Sequence, residues 1–259
     1  MVEGLDRFRD HFAGYQDNYT VIGGTAVFVA MDAAGLQARV TKDLDIVVCV
    51  ETLDPEFARR LWEFVEAGGY EAREKSTGDT ELYRFHKPKD PTFPAMLELF
   101  SRALEVIQVP EGCHLTPLPI ADEVSSLSAI LLDDDYYALV QEGSDSEGGV
   151  SVLRPAYIVP LKARAWLDLT ARRDDGAQIK GSDIKKHRSD IMRLSQLLSP
   201  TMRIVVPASV HADLARFVAE GLRNGCDPKD VGVIGSLDEI QDLIESVYET
   251  DDRIPAHGK

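Results

Sequence analysis

Hydrophobic residues recur along the first part of the chain with two different periods. Leu5, Phe8 and Phe12 follow helical spacing, whereas the β-branched and aromatic run that ends at Ile22 is typical of a strand. Pro55 suits the first turn of a helix that ends before a pair of glycines. The predicted helices cover residues 3–14, 25–34 and 55–67, and the predicted strands cover residues 19–22, 44–50, 81–86, 96–100 and 115–120.

From Ile158 onward the pattern becomes helical. The predicted helices of this part cover residues 158–172, 183–198, 208–222 and 236–248. Between the two parts, residues 124–132 and 136–140 fit either a strand or a helix, and residues 143–149 have the composition of a surface loop. The order of elements predicts an α/β (α+β) domain with a mixed sheet over residues 1–150, followed by a helical domain over residues 151–259.

Composition indicates an ordinary globular protein. The chain has 259 residues, of which 44% are hydrophobic and 28% charged, and this length is enough for one large or two modest cores. No stretch has the roughly 18 apolar residues that a membrane span needs. The first residues carry acid and no apolar segment, and the three cysteines fit no zinc or disulfide spacing. We therefore expect a cytoplasmic protein without a membrane partner.

Charge restricts the partners that the chain can bind. The net charge of −16 disfavours broad, non-specific binding to nucleic acid. Basic residues are concentrated in residues 180–193, so an RNA would approach through that stretch. A solvated helix face is an equally good interpretation of the same residues.

A candidate phosphate-binding segment follows the first predicted strand. Gly23 and Gly24 let backbone N–H groups approach a ligand closely, and the next helix points the positive end of its dipole at the same place. The hydroxyl of Thr25 adds a donor. Together these features predict a cradle for a triphosphate, although two glycines after a strand are more often only a turn.

Three acidic residues form a candidate metal site. Asp43 and Asp45 are separated by one residue at the start of a predicted strand, so alternation places their carboxylates on one face. Glu98 lies inside an apolar strand, where a charge is costly unless it is paired or coordinated. If the two strands are neighbours, the three carboxylates can hold one or two Mg²⁺ or Mn²⁺ ions. The alternatives are a solvated strand end for the aspartates and a solvent-facing position for Glu98.

The order of these motifs resembles a known superfamily. Gly-Gly-Thr-Ala at residues 23–26, followed by Arg-x-Thr-x-Asp-x-Asp at residues 39–45, resembles the DNA polymerase β-like nucleotidyltransferases. The segment looks most like the AbiEii branch, the toxin-type nucleotidyltransferases of type IV toxin–antitoxin systems. Lys162 is similar to a lysine in the first C-terminal helix of that branch, and Asp190 to an aspartate in the next helix.

The resemblance implies a role for each candidate residue. Asp43 and Asp45 would hold Mg²⁺ or Mn²⁺, and Glu98 would be the third ligand or the base for the attacking hydroxyl. Lys162 would neutralise phosphate charge, and Asp190 would orient it or help position the acceptor. The residues implied to contact the NTP are Gly23, Gly24, Thr25, Arg39, Lys42 and Lys162.

Structural roles are the alternatives for the last two residues. Lys162 also suits a surface lysine whose stem packs on the helices, and Asp190 suits an ion pair with Lys186 on one helix face. On either interpretation we expect replacement of Lys162 by alanine to leave the helical domain folded.

The implied function is transfer of a nucleoside monophosphate from an NTP to an acceptor hydroxyl, with release of pyrophosphate. The acceptor implied by the resemblance is a tRNA 3′ end or a hydroxyl of a cognate antitoxin protein. One alternative is a nucleotidyltransferase that modifies a small-molecule antibiotic, because the acidic surface favours cationic acceptors. The other is a non-catalytic member that binds a nucleotide or a partner protein.

Overall fold

A computed structural model describes most of the chain. The described residues are 2–39, 41, 43–48, 55–74, 82–100, 130–131, 133–222 and 227–250. They fall into two compact units. The first takes its described residues from Met1–Val29, Arg39–Ala121 and Val140–Arg154, and the second from Ala30–Ala38, Asp122–Leu139 and Pro155–Lys259. The predicted domain boundary near residue 150 stays a prediction.

Helices and strands follow one another in an order close to the predicted one. The α-helices are α1 (Leu5–His11), α2 (Gly23–Ala33), α3 (Pro55–Gly68), α4 (Asp134–Gly143), α5 (Pro155–Asp174), α6 (Gly181–Ser195), α7 (Ala208–Phe217) and α8 (Leu237–Val247). The strands are β1 (Tyr19–Val21), β2 (Asp43–Val48), β3 (Glu71–Glu74), β4 (Leu82–His86), β5 (Met96–Phe100), β6 (Ser144–Asp145), β7 (Val152–Leu153), β8 (Ile204–Val206) and β9 (Tyr248–Thr250).

The first unit is built around a mixed sheet. Its seven described strands lie in the order β3-β4-β5-β2-β1-β7-β6. The β2–β5 and β1–β7 pairs are parallel, and the other pairs are antiparallel. This confirms the predicted α/β fold class with a mixed sheet. The central position of β2 places the residues around Asp43 and Asp45 between two other strands.

One face of this sheet is apolar. Because side chains alternate along a strand, Leu44 and Ile46 of β2 point to the same side as Leu97 and Leu99 of β5. These residues are buried in a single cluster with aromatic side chains of α1 and α3. The ring of Phe64 lies within 5.6 Å of the Phe8, Phe12 and Phe93 rings, measured between centroids. The residues between them along the strands therefore point to the opposite face.

The second unit is mainly helical, as predicted. Helix α5 packs against α6 and α7, and the Trp166 and Phe217 rings meet edge to face with centroids 5.5 Å apart. A π-helical turn, Val218–Leu222, continues α7. The unit also contains a parallel pair of strands, β8 and β9, that the helical pattern did not predict. Within the described residues, no helix is long and apolar enough to cross a membrane.

Several further predictions are corrected, completed or left open by the structure. Residues 143–149 are not a loop throughout, because β6 lies among them and pairs with β7. Residues 136–140 are helical, within α4. Strand β3 was not predicted, since its sequence, Glu-Ala-Arg-Glu, has no apolar alternation. The predicted strand at residues 115–120, and residues 124–129 of the ambiguous segment, lie outside the described residues.

The aromatic cluster predicts how truncation of the first unit's core affects stability. Replacement of Phe64 by alanine should lower the free energy of unfolding by about 3–5 kcal/mol, because it leaves a cavity among rings that cannot close it. Replacement of Ile234, which is 94% exposed, by alanine should change it by less than about 0.5 kcal/mol. Urea denaturation measures both values, and equal values would show that Phe64 does not belong to a packed core.

Candidate active site

The face of the sheet opposite the aromatic cluster carries the candidate acids. Asp45 of β2 and Glu98 of β5 are register partners in the parallel β2–β5 pair, so they share this face. Asp43 lies two residues before Asp45 and opposite Met96. The Asp45 carboxylate is close enough to the Glu98 carboxyl to raise the pKa of Glu98. The structure thus brings Asp45 and Glu98 together, with Asp43 on the same face.

Glu98 is buried rather than solvent-facing, which rules out the alternative that it lies on a solvated face. Burial raises the pKa of its carboxyl well above the usual range, and the negative charge of Asp45 raises it further. The guanidinium of Arg84 opposes both effects. A buried carboxyl with a second, half-buried acid beside it is stabilised by a proton or a cation, so this pair is suited to binding a positively charged group.

Arg84 of β4 is a cation in contact with Glu98. It is the register partner of Glu98 in the antiparallel β4–β5 pair. Its Nε donates to Glu98 Oε1 over 2.5 Å, and its Nη2 forms an ion pair with the same oxygen. Glu98 is therefore held between an acid on one side and a base on the other.

Gly23 and Gly24 are the first two residues of α2 rather than a separate turn. Gly23 has a φ of +66°, which favours glycine, and a Cβ atom there would lie 1.9 Å from Asp45 Oδ2. The carboxylate of Asp45 therefore occupies the space that a side chain at position 23 would need. Only glycine allows the start of α2 and the Asp45 carboxylate to be this close.

Arg39 and Thr41 lie beside Gly24. A Cβ atom at Gly24 would lie 3.0 Å from Thr41 Oγ1 and 3.3 Å from Arg39 Nη2. A guanidinium at the N-terminus of a helix adds positive charge where the helix dipole is already positive. Lys42, the other predicted basic contact, lies outside the described residues.

The structure revises the role predicted for Thr25. Its hydroxyl donates to the backbone carbonyl of Asp43 over 2.6 Å, and the residue is completely buried. The hydroxyl therefore fixes the start of β2 against α2 and is committed to that carbonyl. A direct hydrogen bond from this hydroxyl to phosphate, as predicted, does not fit this geometry.

A preformed site with three protein ligands is not present in the described part of the chain. No group of three or more His, Cys, Asp or Glu side chains there is arranged to hold a metal ion. The adjacent carboxyl groups of Asp45 and Glu98 nevertheless suit a divalent cation, because Mg²⁺ usually binds one or two carboxylates and completes its shell with substrate phosphates. The assignment of Asp43, Asp45 and Glu98 as ligands stays a prediction.

In the second unit, Lys162 of α5 and Asp190 of α6 form a buried ion pair. Lys162 Nζ lies 3.0 Å from Asp190 Oδ2, and the two side chains are 8% and 1% exposed. Arg193 Nη1 lies 3.6 Å from Asp190 Oδ1. Lys162 is thus not a surface lysine, and Asp190 forms ion pairs with Lys162 and Arg193. The geometry allows Asp190 to orient Lys162, and contact of Lys162 with an NTP stays a prediction.

The basic stretch at residues 180–193 offers less positive surface than its sequence suggests. Arg188 is buried and its Nη1 donates to the backbone carbonyl of Gly221, while Arg193 is paired with Asp190. The lysines of this stretch, Lys180, Lys185 and Lys186, are exposed or partly exposed. An RNA approaching this face would meet three lysines rather than five cations.

Sequence reasoning missed Arg84 and Arg193. Arg84 carries the same signal that identified Glu98, a charged residue flanked by aromatic or aliphatic residues in a predicted strand. Applied to every predicted strand, that criterion would have found it. Arg193 lies three residues after Asp190 on one helix, a spacing at which side chains meet.

Comparison with known proteins gives weak similarities. No protein-family model and no curated protein matches the chain. Several solved structures resemble it, among them the following three. An antigenic nucleotidyltransferase-like protein from Paracoccidioides brasiliensis is 13% identical, with 96% of this chain and 97% of that chain covered and a TM-score of 0.44. A cytoplasmic RNA terminal U-transferase is 14% identical, with coverage of 93% and 62% and a TM-score of 0.32. The Cid1 poly(U) polymerase is 11% identical, with coverage of 94% and 68% and a TM-score of 0.27.

These structural neighbours are nucleotidyltransferase-like proteins and proteins named for the transfer of U to RNA. The chain spans somewhat less than two thirds of the terminal U-transferase. None of the similarities is high enough to assign its neighbour's activity to this chain. None of them distinguishes the AbiEii branch from the rest of the superfamily.

The contact between Gly23 and Asp45 predicts a stability difference between two glycine variants. Gly23→Ala and Gly35→Ala both place a side chain at nearly the same positive φ, but a Cβ at Gly35 meets nothing within 4 Å. Gly23→Ala should therefore cost about 1–3 kcal/mol more than Gly35→Ala in urea denaturation, from overpacking against Asp45. The extra cost should disappear in an Asp45→Ala background, and its persistence there would contradict the contact.

Burial of the Lys162–Asp190 pair changes the expectation for Lys162→Ala. We now expect this variant to lose about 3–5 kcal/mol of stability, because it leaves the Asp190 carboxylate buried with a weakened set of partners. Arg164→Ala is the control, since Arg164 pairs with Asp213 from a side chain that is 44% exposed. It should lose about 1 kcal/mol or less. Thermal unfolding of both variants measures the difference, and similar losses would show that the Lys162 pair is not buried.

Proposed function

We propose that this chain is a metal-dependent nucleotidyltransferase that moves a nucleoside monophosphate from an NTP to an acceptor hydroxyl. The observation that carries the proposal is the buried Glu98 carboxyl with the half-buried Asp45 carboxylate beside it, next to the glycine start of α2. A buried carboxyl with a second acid beside it costs stability in a protein that does not use it. Asp45 also lies next to the N-terminus of α2, where Arg39 is close to Gly24. A phosphate group could bind at this N-terminus, beside the cation that the acids would hold.

In this proposal, different residues of the site bind the metal ion and the phosphates. Asp45 and Glu98, with Asp43 on the same face, would hold Mg²⁺ or Mn²⁺, which supplies Lewis-acid stabilisation of the transferred phosphoryl group when it is bound. The N–H groups at Gly23 and Gly24 and the guanidinium of Arg39 would hold phosphate oxygens. The alternative role that the resemblance implies for Glu98 is to accept the proton of the attacking hydroxyl.

Lys162 and Asp190 enter the proposal as a pair. Asp190 holds the Lys162 ammonium in one place, and an oriented ammonium is a compact charge that suits phosphate. The buried position of the pair also gives it a structural role within the second unit. We therefore assign the phosphate role to Lys162 only as part of this proposal.

A tRNA 3′ end is the first acceptor that we propose, in a toxin of a type IV toxin–antitoxin system. It is supported by the resemblance at residues 23–26 and 39–45 and by the lysines of residues 180–186. A cationic small molecule such as an aminoglycoside is the second candidate, because the net charge of −16 attracts cations and repels polyanions. The buried position of Arg188 weakens the case for RNA and keeps this second candidate in the test.

The test is transfer of label from each α-³²P-labelled NTP to total tRNA, to aminoglycosides and to protein in a lysate. Asp45→Asn should lower transfer at least about 100-fold, since even the outer partners of metal ligands cost 10–100-fold when they are removed. Asp10→Asn is the matched control, because Asp10 is an exposed acid of the same unit with a side chain 75% exposed. It should leave the rate unchanged.

Each outcome bears on a different part of the proposal. Label on tRNA, together with growth arrest on expression that Asp45→Asn abolishes, supports the toxin. Label on the aminoglycoside alone replaces tRNA with the small-molecule acceptor. Nucleotide binding without transfer to any acceptor, or equal activity of Asp45→Asn and the wild type, would overturn the proposed function.

A further inference from the structure

Glu98 has a cation in contact with it before any metal ion is considered. Both Nε and Nη2 of Arg84 contact the single oxygen Oε1 of Glu98. The side chains of Arg84 and Glu98 are 16% and 8% exposed, so water and salt screen this interaction weakly. A divalent cation that binds Glu98 must therefore approach a fixed positive charge.

The sheet itself holds Arg84 at this place. Arg84 and Glu98 are directly opposite each other in the antiparallel β4–β5 pair, and Asp45 is opposite Glu98 in the parallel β2–β5 pair. The three side chains thus lie in one row across three hydrogen-bonded strands. Backbone pairing therefore keeps the Cα atoms of Arg84 and Glu98 opposite each other.

The charges in this row set how strongly it attracts a cation. With both acids ionised, Asp45 and Glu98 together carry two negative charges, and Arg84 removes one of them. A bare divalent cation is therefore attracted less strongly than the two acids alone would attract it. A triphosphate adds several negative charges to the same region, and these offset the guanidinium.

We propose that Arg84 is a positioning residue that makes divalent-cation binding depend on nucleotide. This inference rests on the proposed function. In the nucleotide-free protein, Arg84 holds Glu98 and weakens binding of a cation alone. In the complex, the phosphates supply the charge that Arg84 cancels, so the cation binds together with the nucleotide.

The experiment is a titration with Mn²⁺ followed by electron paramagnetic resonance of the free ion, with and without a non-hydrolysable NTP analogue. Without the analogue, Arg84→Met should bind Mn²⁺ at least about tenfold more tightly than the wild type, since it removes a poorly screened charge next to a ligand. Arg84→Lys keeps the charge and should stay close to the wild type. With the analogue present, the difference between Arg84→Met and the wild type should shrink.

Two controls separate a local effect from a general change of charge. Arg59→Met removes an arginine of the first unit whose ion pairs with Glu56 and Glu63 are exposed, and it should leave Mn²⁺ binding unchanged. Adding Glu98→Gln to Arg84→Met should abolish the gain in affinity. Circular dichroism checks the fold of each variant, and Arg84→Gln, which keeps an N–H donor for Glu98, takes the place of Arg84→Met if that protein does not fold.

The outcomes distinguish this inference from the proposed function. Tighter Mn²⁺ binding by Arg84→Met but not by Arg84→Lys supports the role of Arg84. Equal or weaker binding by Arg84→Met, while the wild type binds Mn²⁺ with the analogue, overturns that role and leaves the proposed function intact. If no variant binds Mn²⁺ even with the analogue, the metal site of the proposed function is wrong and the inference fails with it.

Discussion

The ionic row across three strands, Asp45–Glu98–Arg84, is the constraint on which the candidate site depends. Charges seldom lie inside a sheet, because removing them from water costs more than most single contacts return. This sheet accommodates them by placing a base and two acids at matching register positions on one face. The other face carries the aliphatic and aromatic residues that stabilise the unit. Because the charged row and the apolar cluster lie on opposite faces, the row does not interrupt the hydrophobic core.

The glycine at the start of α2 couples this row to the backbone. Asp45 occupies the space beside Gly23, and the hydroxyl of Thr25 ties the same helix to the first residue of β2. The start of α2 and the start of β2 are therefore positioned by each other. A ligand that binds at the N-terminus of α2 would therefore lie at a fixed distance from the acids. This arrangement suits a site that binds a phosphate and a cation together.

Local features of the fold could be predicted from the sequence, and contacts between distant segments could not. The period of two at residues 43–45 and the apolar neighbours of Glu98 were enough to predict a shared face for Asp43 and Asp45 and an unusual environment for Glu98. The pairing of β2 with β5 depends on a long-range parallel contact that no local pattern encodes. Arg84 was missed although a local signal was present, namely a charged residue between Tyr83 and Phe85 in a predicted strand. Strands β8 and β9 have three residues each, which is too short for a period to be visible.

The last described strand, β9, makes contacts with segments far from it in the sequence, among them its partner strand β8. Tyr248 is buried and its hydroxyl donates to the carbonyl of Ala156, near the start of α5. Deletion of the chain from Tyr248 onward would expose an unpaired edge of β8 and leave space where the tyrosine ring had been. Such a truncated protein would be prone to aggregation, and an inactive C-terminal deletion would report on folding rather than on chemistry.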